Sequence, residues 1–151
     1  MTKIRLAQSA APARVFSAPA VAKMEVVVIY TGVKNTLAAL RAAAGLAQGL
    51  SARIRLVVPQ SIPFPAQLDE PPVRRDFAER KFRTLAEQSS IETTVEIRVC
   101  RDWEAGALDG LKPGSIVIMG AGMRWWPALR ERRLARTLQK LGHRALLVGS
   151  N

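Results

Sequence analysis

Along this chain, short apolar, β-branched runs alternate with longer stretches in which apolar residues recur every three or four positions. "MEVVVIYTG" (24–32) is apolar through its middle and predicts a strand covered on both faces. "NTLAALRAAAGLAQGL" (35–50) predicts a helix capped by Asn35, with Leu37, Leu40 and Ala44 on the face turned to a sheet. "RIRLVVP" (53–59) predicts a second strand, and the proline-broken "PQSIPFPAQLDEPP" (59–72) a long loop. Residues 73–89 predict an amphipathic helix with Val73, Phe77, Phe82 and Leu85 in one stripe. "TTVEIRV" (93–99) alternates, with Val95, Ile97 and Val99 on one face and Thr94, Glu96 and Arg98 on the other. That pattern predicts a strand wet on one side, at a sheet edge. Asp102 is placed to cap a short helix reaching Leu111, and "SIVIMG" (115–120) is a second doubly covered strand. A basic helix over 128–141 stops at Gly142 and leads into a fifth strand, "ALLVG" (145–149).

Five strands separated by four helices predict an α/β fold, a doubly wound, five-stranded parallel sheet of Rossmann-like type, because parallel neighbours need crossover connections. The doubly covered first and fourth strands belong at the centre and the alternating third at an edge, which gives the order 3-2-1-4-5. The chain then reverses direction between strands 1 and 4, and sheets of this kind bind ligands in the crevice beyond that point. The loops that meet there are "TGVKN" (31–35), with Thr31 and Gly32, and "GAGMRWWP" (120–127).

With 151 residues, 48% of them hydrophobic, the chain suits a single domain with one buried core. Residues 1–22, rich in Ala, Pro and Ser and without an acid, read as a flexible tail ahead of a domain over 23–151. They lack the apolar core of a secretory signal, and no run approaches the length of a membrane span. One cysteine builds no disulfide framework. A cytoplasmic protein without membrane insertion is expected. The net charge of +11 favours anionic company, and residues 122–151 alone carry +6 of it.

The pattern resembles a universal stress protein domain over about residues 24–149: five strands in that order, a long loop after the second, and the ending "IVIMGAGMR…LARTLQKLGHRALLV". The resemblance implies a role in stress response and a homodimer formed through the fifth-strand edge. Nucleotide-binding members carry an Asp after strand 1. After strand 4 they carry a glycine, two residues, a second glycine, nine residues and Gly-Ser or Gly-Thr. Here the Asp position is Thr31, Gly120 matches the first glycine, Met123 takes the second with Gly122 one residue early, and Arg133 and Leu134 stand where Gly-Ser would be. The expectation is a non-catalytic binding or regulatory module with a degenerate nucleotide site and no cofactor. ATP binding with slow hydrolysis and nucleic-acid binding are the competing expectations.

The stretch "VIMGAGMRWWPALRERRLAR" (117–136) permits several arrangements. Gly120 and Gly122 could simply make the turn while Trp125 and Trp126 plug the crevice. Alternatively, an anion could sit near Thr31, Gly32, Gly120, Gly122, Met123 and Arg124, assisted by Arg133, with a tryptophan stacked on a base. The basic helix presents Arg132, Arg133, Arg136 and Lys140 opposite a seam of Leu134, Leu138 and Leu141; that face is either solvated charge or a track for a phosphate or polyanion. "RWWP" as a membrane-interface anchor is a weaker option, because the helix spends its apolar seam on the sheet. Cys100 and His143 read as a buried residue and a helix-end cation rather than a catalytic pair, and no metal-ligand spacing occurs. Asp102 and Glu104 read as a cap and a first-turn acid.

Overall fold

The computed structural model describes residues 3–8, 24–62, 75–122 and 129–150. Its elements are β1 (Lys3–Gln8), β2 (Glu25–Ile29), α1 (Val33–Leu50), β3 (Arg53–Ser61), α2 (Arg75–Ala86), β4 (Thr93–Cys100), α3 (Trp103–Leu108), β5 (Ile116–Gly122), α4 (Leu129–Lys140) and β6 (Arg144–Ser150). All strand pairs are parallel, in the order β1-β4-β3-β2-β5-β6. The last five positions reproduce the predicted order 3-2-1-4-5, a Rossmann-like sheet with helices on both faces. Central β2 and β5 are sealed: Val26–Ile29 and Val117–Met119 expose almost nothing.

Right-handed crossovers assign the helices to faces. The chain steps in one direction from β2 to β3 to β4, so α1 and α2 share a face, packed on Val26, Val28, Ile54, Leu56, Val58 and Ile97. It then returns through β5 to β6, which puts α3 and α4 on the other face, over Val27, Ile29, Val57, Val117 and Met119. β3 runs through Pro59, beyond the predicted end. Its odd-numbered residues bond toward β2, as in Arg53 N–H to Met24 O and Tyr30 N–H to Val57 O, and β2 has already ended when Pro59 is reached. The missing donor therefore leaves no ladder bond unmade.

Several expectations are corrected. Residues 3–8 of the predicted tail form β1, paired in register with β4 from Lys3↔Thr94 to Gln8↔Val99; residues 9–22 lie outside the described residues. The alternating strand β4 is consequently flanked on both sides, and its polar face is not wet: Glu96 and Arg98 are buried. The alternation encodes an internal ion-pair cluster rather than a solvent face. Arg98 donates to Glu96 from Nε at 2.8 Å and from Nη1 to the Gly106 carbonyl at 3.1 Å, while Arg55 reaches the other Glu96 oxygen at 3.2 Å and lies 3.6 Å from Glu25.

Helix α1 starts two residues before Asn35, with Gly32 at the cap position and no side-chain cap; φ of +112° at Gly32 is a conformation that a side chain would strain. Phe77 is exposed, because the buried stripe of α2 runs through Ala78, Phe82, Leu85 and Ala86, one residue round the helix. Leu141 is likewise exposed: α4 ends at Lys140, and Ala135 joins Leu134 and Leu138 in its seam. Helix α3 stops at Leu108, short of Leu111, and the chain turns over the ion-pair cluster through Gly110.

Candidate anion-binding groove

Residues Thr31 and Gly120 do meet. The Thr31 hydroxyl donates to the Gly120 carbonyl at 2.6 Å across the ends of β2 and β5, and the Thr31 N–H donates to the Thr36 hydroxyl at 3.1 Å. The crevice floor is therefore occupied by the protein's own contacts. Gly120 has a structural reason to be glycine: a Cβ there would lie 1.9 Å from the Asn35 carbonyl oxygen, because the first turn of α1 rests on its backbone. Its match to a phosphate-binding glycine thus has an explanation in helix packing. Gly122, at the exposed end of β5, has no neighbour within 4 Å of such a Cβ. Met123 and Arg124, and the plug expected from Trp125 and Trp126, lie outside the described residues.

Arg133 lines a concavity of about 630 Å³ between α3 and α4, with Asp102, Trp103, Glu104, Leu129, Arg130, Arg132 and Arg136, and neither Thr31 nor Gly120 is among its lining residues. Topology creates the groove: α3 leaves the carboxyl end of β4, α4 that of β5, and both cross the same sheet face. Asp102 caps α3 as predicted, accepting from Ala105 N–H at 2.8 Å. Glu104 accepts from the Thr137 hydroxyl at 2.9 Å and ties α3 to α4. The Arg130 guanidinium carbon lies 3.9 Å from the centre of the Trp103 ring, within cation–π range, and its Nη2 is 3.3 Å from Glu131. Among the described residues, Arg132, Arg133, Arg136 and Lys140 make no ion pair. Among the described residues the groove therefore holds four arginines against the two carboxylates of Asp102 and Glu104, and three of those arginines are exposed without an ion pair.

The sequence reading missed Trp103. The available signal was its position just past the end of a strand, on a helix that returns over the same face as the arginine-rich one.

Cys100 and His143 lie at opposite ends of the parallel sheet, Cys100 closing β4 and His143 preceding β6. Burial, and secondarily the Asp102 carboxylate, push the Cys100 thiol upward against the lowering effect of Arg98, so it stays protonated at neutral pH. His143 Nδ1 accepts from Ser115 N–H at 3.1 Å and fixes the entry to β6. Among the described residues no group of His, Cys, Asp and Glu is placed to hold a metal ion, and no helix is long and apolar enough to cross a membrane.

No protein-family model and no curated protein matches the chain. Its structure is similar to the crystal structure of a macrolide-efflux protein from Streptococcus pneumoniae, with a TM-score of 0.51 at 12% sequence identity. The match covers 98% of this chain and 58% of that one, so the chain spans little more than half the length of that protein. At that identity the likeness establishes the doubly wound α/β fold.

Proposed function

We propose that this protein is a non-catalytic, universal-stress-protein-like binding module of the cytoplasm, which takes up anions in the α3–α4 groove rather than a nucleotide in the crevice between β2 and β5. The observation that carries the reading is the set of guanidinium groups at Arg132, Arg133 and Arg136, which share a groove with only two carboxylates, Asp102 and Glu104, and form an ion pair with neither. Unpaired arginines in a concavity are poised for phosphate or carboxylate, which they bind through charge-assisted hydrogen bonds. The crevice offers less: its hydroxyl and its glycine are both used in joining β2, β5 and α1.

Calorimetric titration with pyrophosphate and with ATP, at low and at high salt, tests this. Both anions are expected to bind weakly, without adenine preference, and binding should be lost in Arg133→Ala/Arg136→Ala. Adenine-specific binding that survives that double substitution would instead place a nucleotide in the crevice.

The module is proposed to work as a homodimer through the outer edge of β6. Among the described residues no strand pairs with that edge, and Leu146 and Leu147, on its two faces, are 49% and 40% exposed. Free backbone donors and acceptors flanked by leucines form a self-complementary template for a second copy. Sedimentation equilibrium is expected to show a dimer that Leu146→Lys converts to monomer; a monomeric wild type would remove the proposal.

A further inference from the structure

We infer that the α3–α4 groove and the exposed face of α4 together bind single-stranded nucleic acid. The inference rests on the anion-binding reading and narrows its ligand. Two features set an extended strand apart from a small anion.

The first is that the positive charge continues past the groove. Arg132 and Arg136 lie one turn apart on α4, and Lys140 follows one turn later, beyond the residues that line the concavity. All three are exposed, and none has a carboxylate partner among the described residues. At about 1.5 Å rise per residue the three cations span about 12 Å of helix, a ladder that meets successive backbone phosphates of a strand, whereas a mononucleotide carries its phosphates at one end only.

The second is a stacking platform at the head of that ladder. Arg130 lies against Trp103, and its side chain is nonetheless 54% exposed, so the guanidinium has one side on the indole and another toward solvent. Unstacked bases settle on arginine planes and aromatic rings of this kind. A duplex keeps its bases within its own stack and has no use for the platform; a free nucleotide can use the platform but not the far end of the ladder.

Fluorescence anisotropy of a short labelled oligothymidylate over a salt series provides the test, with a duplex of equal length and pyrophosphate as comparison ligands. Tighter binding of the single strand is expected, with a log–log salt slope of roughly −2 to −3, from three or four contacts at about 0.7 each. Arg133→Ala/Arg136→Ala should weaken binding about tenfold and flatten the slope by about 1.4, whereas Trp103→Leu should weaken it with the slope unchanged. The matching pair Arg80→Ala/Arg83→Ala, on α2 across the sheet, should change neither quantity. Its two side chains are exposed, so both double variants are expected to fold, which circular dichroism checks.

Equal affinity for duplex and single strand, or equal losses from the α2 and α4 variants, would overturn the inference. So would pyrophosphate binding that depends on Arg133 and Arg136 without any gain from a longer strand, although the anion-binding reading would then survive. Absence of binding to every one of these anions would remove both.

Discussion

Gly120→Ala is expected to destabilise the protein by at least ~3 kcal/mol, at the upper end of the range for overpacking a well-filled site. The new methyl group would meet the Asn35 carbonyl carbon and oxygen at 2.4 and 1.9 Å, and these are backbone atoms of the first turn of α1. No rotamer change can relieve such a contact. Either α1 lifts from β5 or the strand bends, and both movements stretch the 2.6 Å bond from the Thr31 hydroxyl to the Gly120 carbonyl. Gly122→Ala is the control. It lies two residues along the same strand with open space around it, and its stability should stay within about 0.5 kcal/mol of wild type. Urea denaturation reads both, and a wild-type midpoint for Gly120→Ala would refute the described seating of α1 on β5.

The second large effect is expected from Arg98→Ala, at about 3–5 kcal/mol. Glu96 is 6% exposed and Arg98 2%, and removal of the guanidinium leaves a buried carboxylate that keeps only Arg55. The Gly106 carbonyl also loses its donor. Replacing both charges, as in Glu96→Leu/Arg98→Met, should restore much of the loss, because the penalty comes chiefly from orphaning one ion rather than from lacking the pair. Urea midpoints of Glu96→Leu, Arg98→Met and the double variant form the cycle that measures this coupling; equal losses in the single and double variants would show that the cluster contributes packing alone.

The central strands were legible because they are apolar without interruption, a pattern that only burial on both faces accommodates, and their adjacency followed from the crossover rules. The alternation of β4 fixes which residues share a face but not what that face meets. Charged residues at every second position signal a wet face only if no partner waits inside, and the partners of Arg98 include Glu96 on its own strand and a backbone carbonyl supplied by α3. Phe77 and Leu141 show the same limit on the helices. Phe77 sits beside an apolar stripe and the structure selects the neighbouring Ala78 instead, whereas Leu141 continues the seam of α4 in sequence but falls past the end of that helix at Lys140.

At the candidate site, the meeting of Thr31 with Gly120 could be anticipated because topology alone dictates it. The use made of that meeting could not, since close packing of α1 and room for a phosphate call for the same residue type at Gly120. The motif places Arg133 only by its spacing from Gly120, whereas its surroundings come from α3, thirty residues earlier in the chain. The pairing of Trp103 with Arg130 depends on how two helices lie side by side on one face, which periodicity within either helix does not report.

The strand nearest the amino terminus completes the sheet against residues about ninety positions further on. During synthesis, at roughly 5–20 residues per second, Lys3–Gln8 therefore emerges many seconds before its partner exists. For that interval Lys3–Gln8 must travel without its eventual neighbour, and that edge of the sheet stays open until β4 has been made.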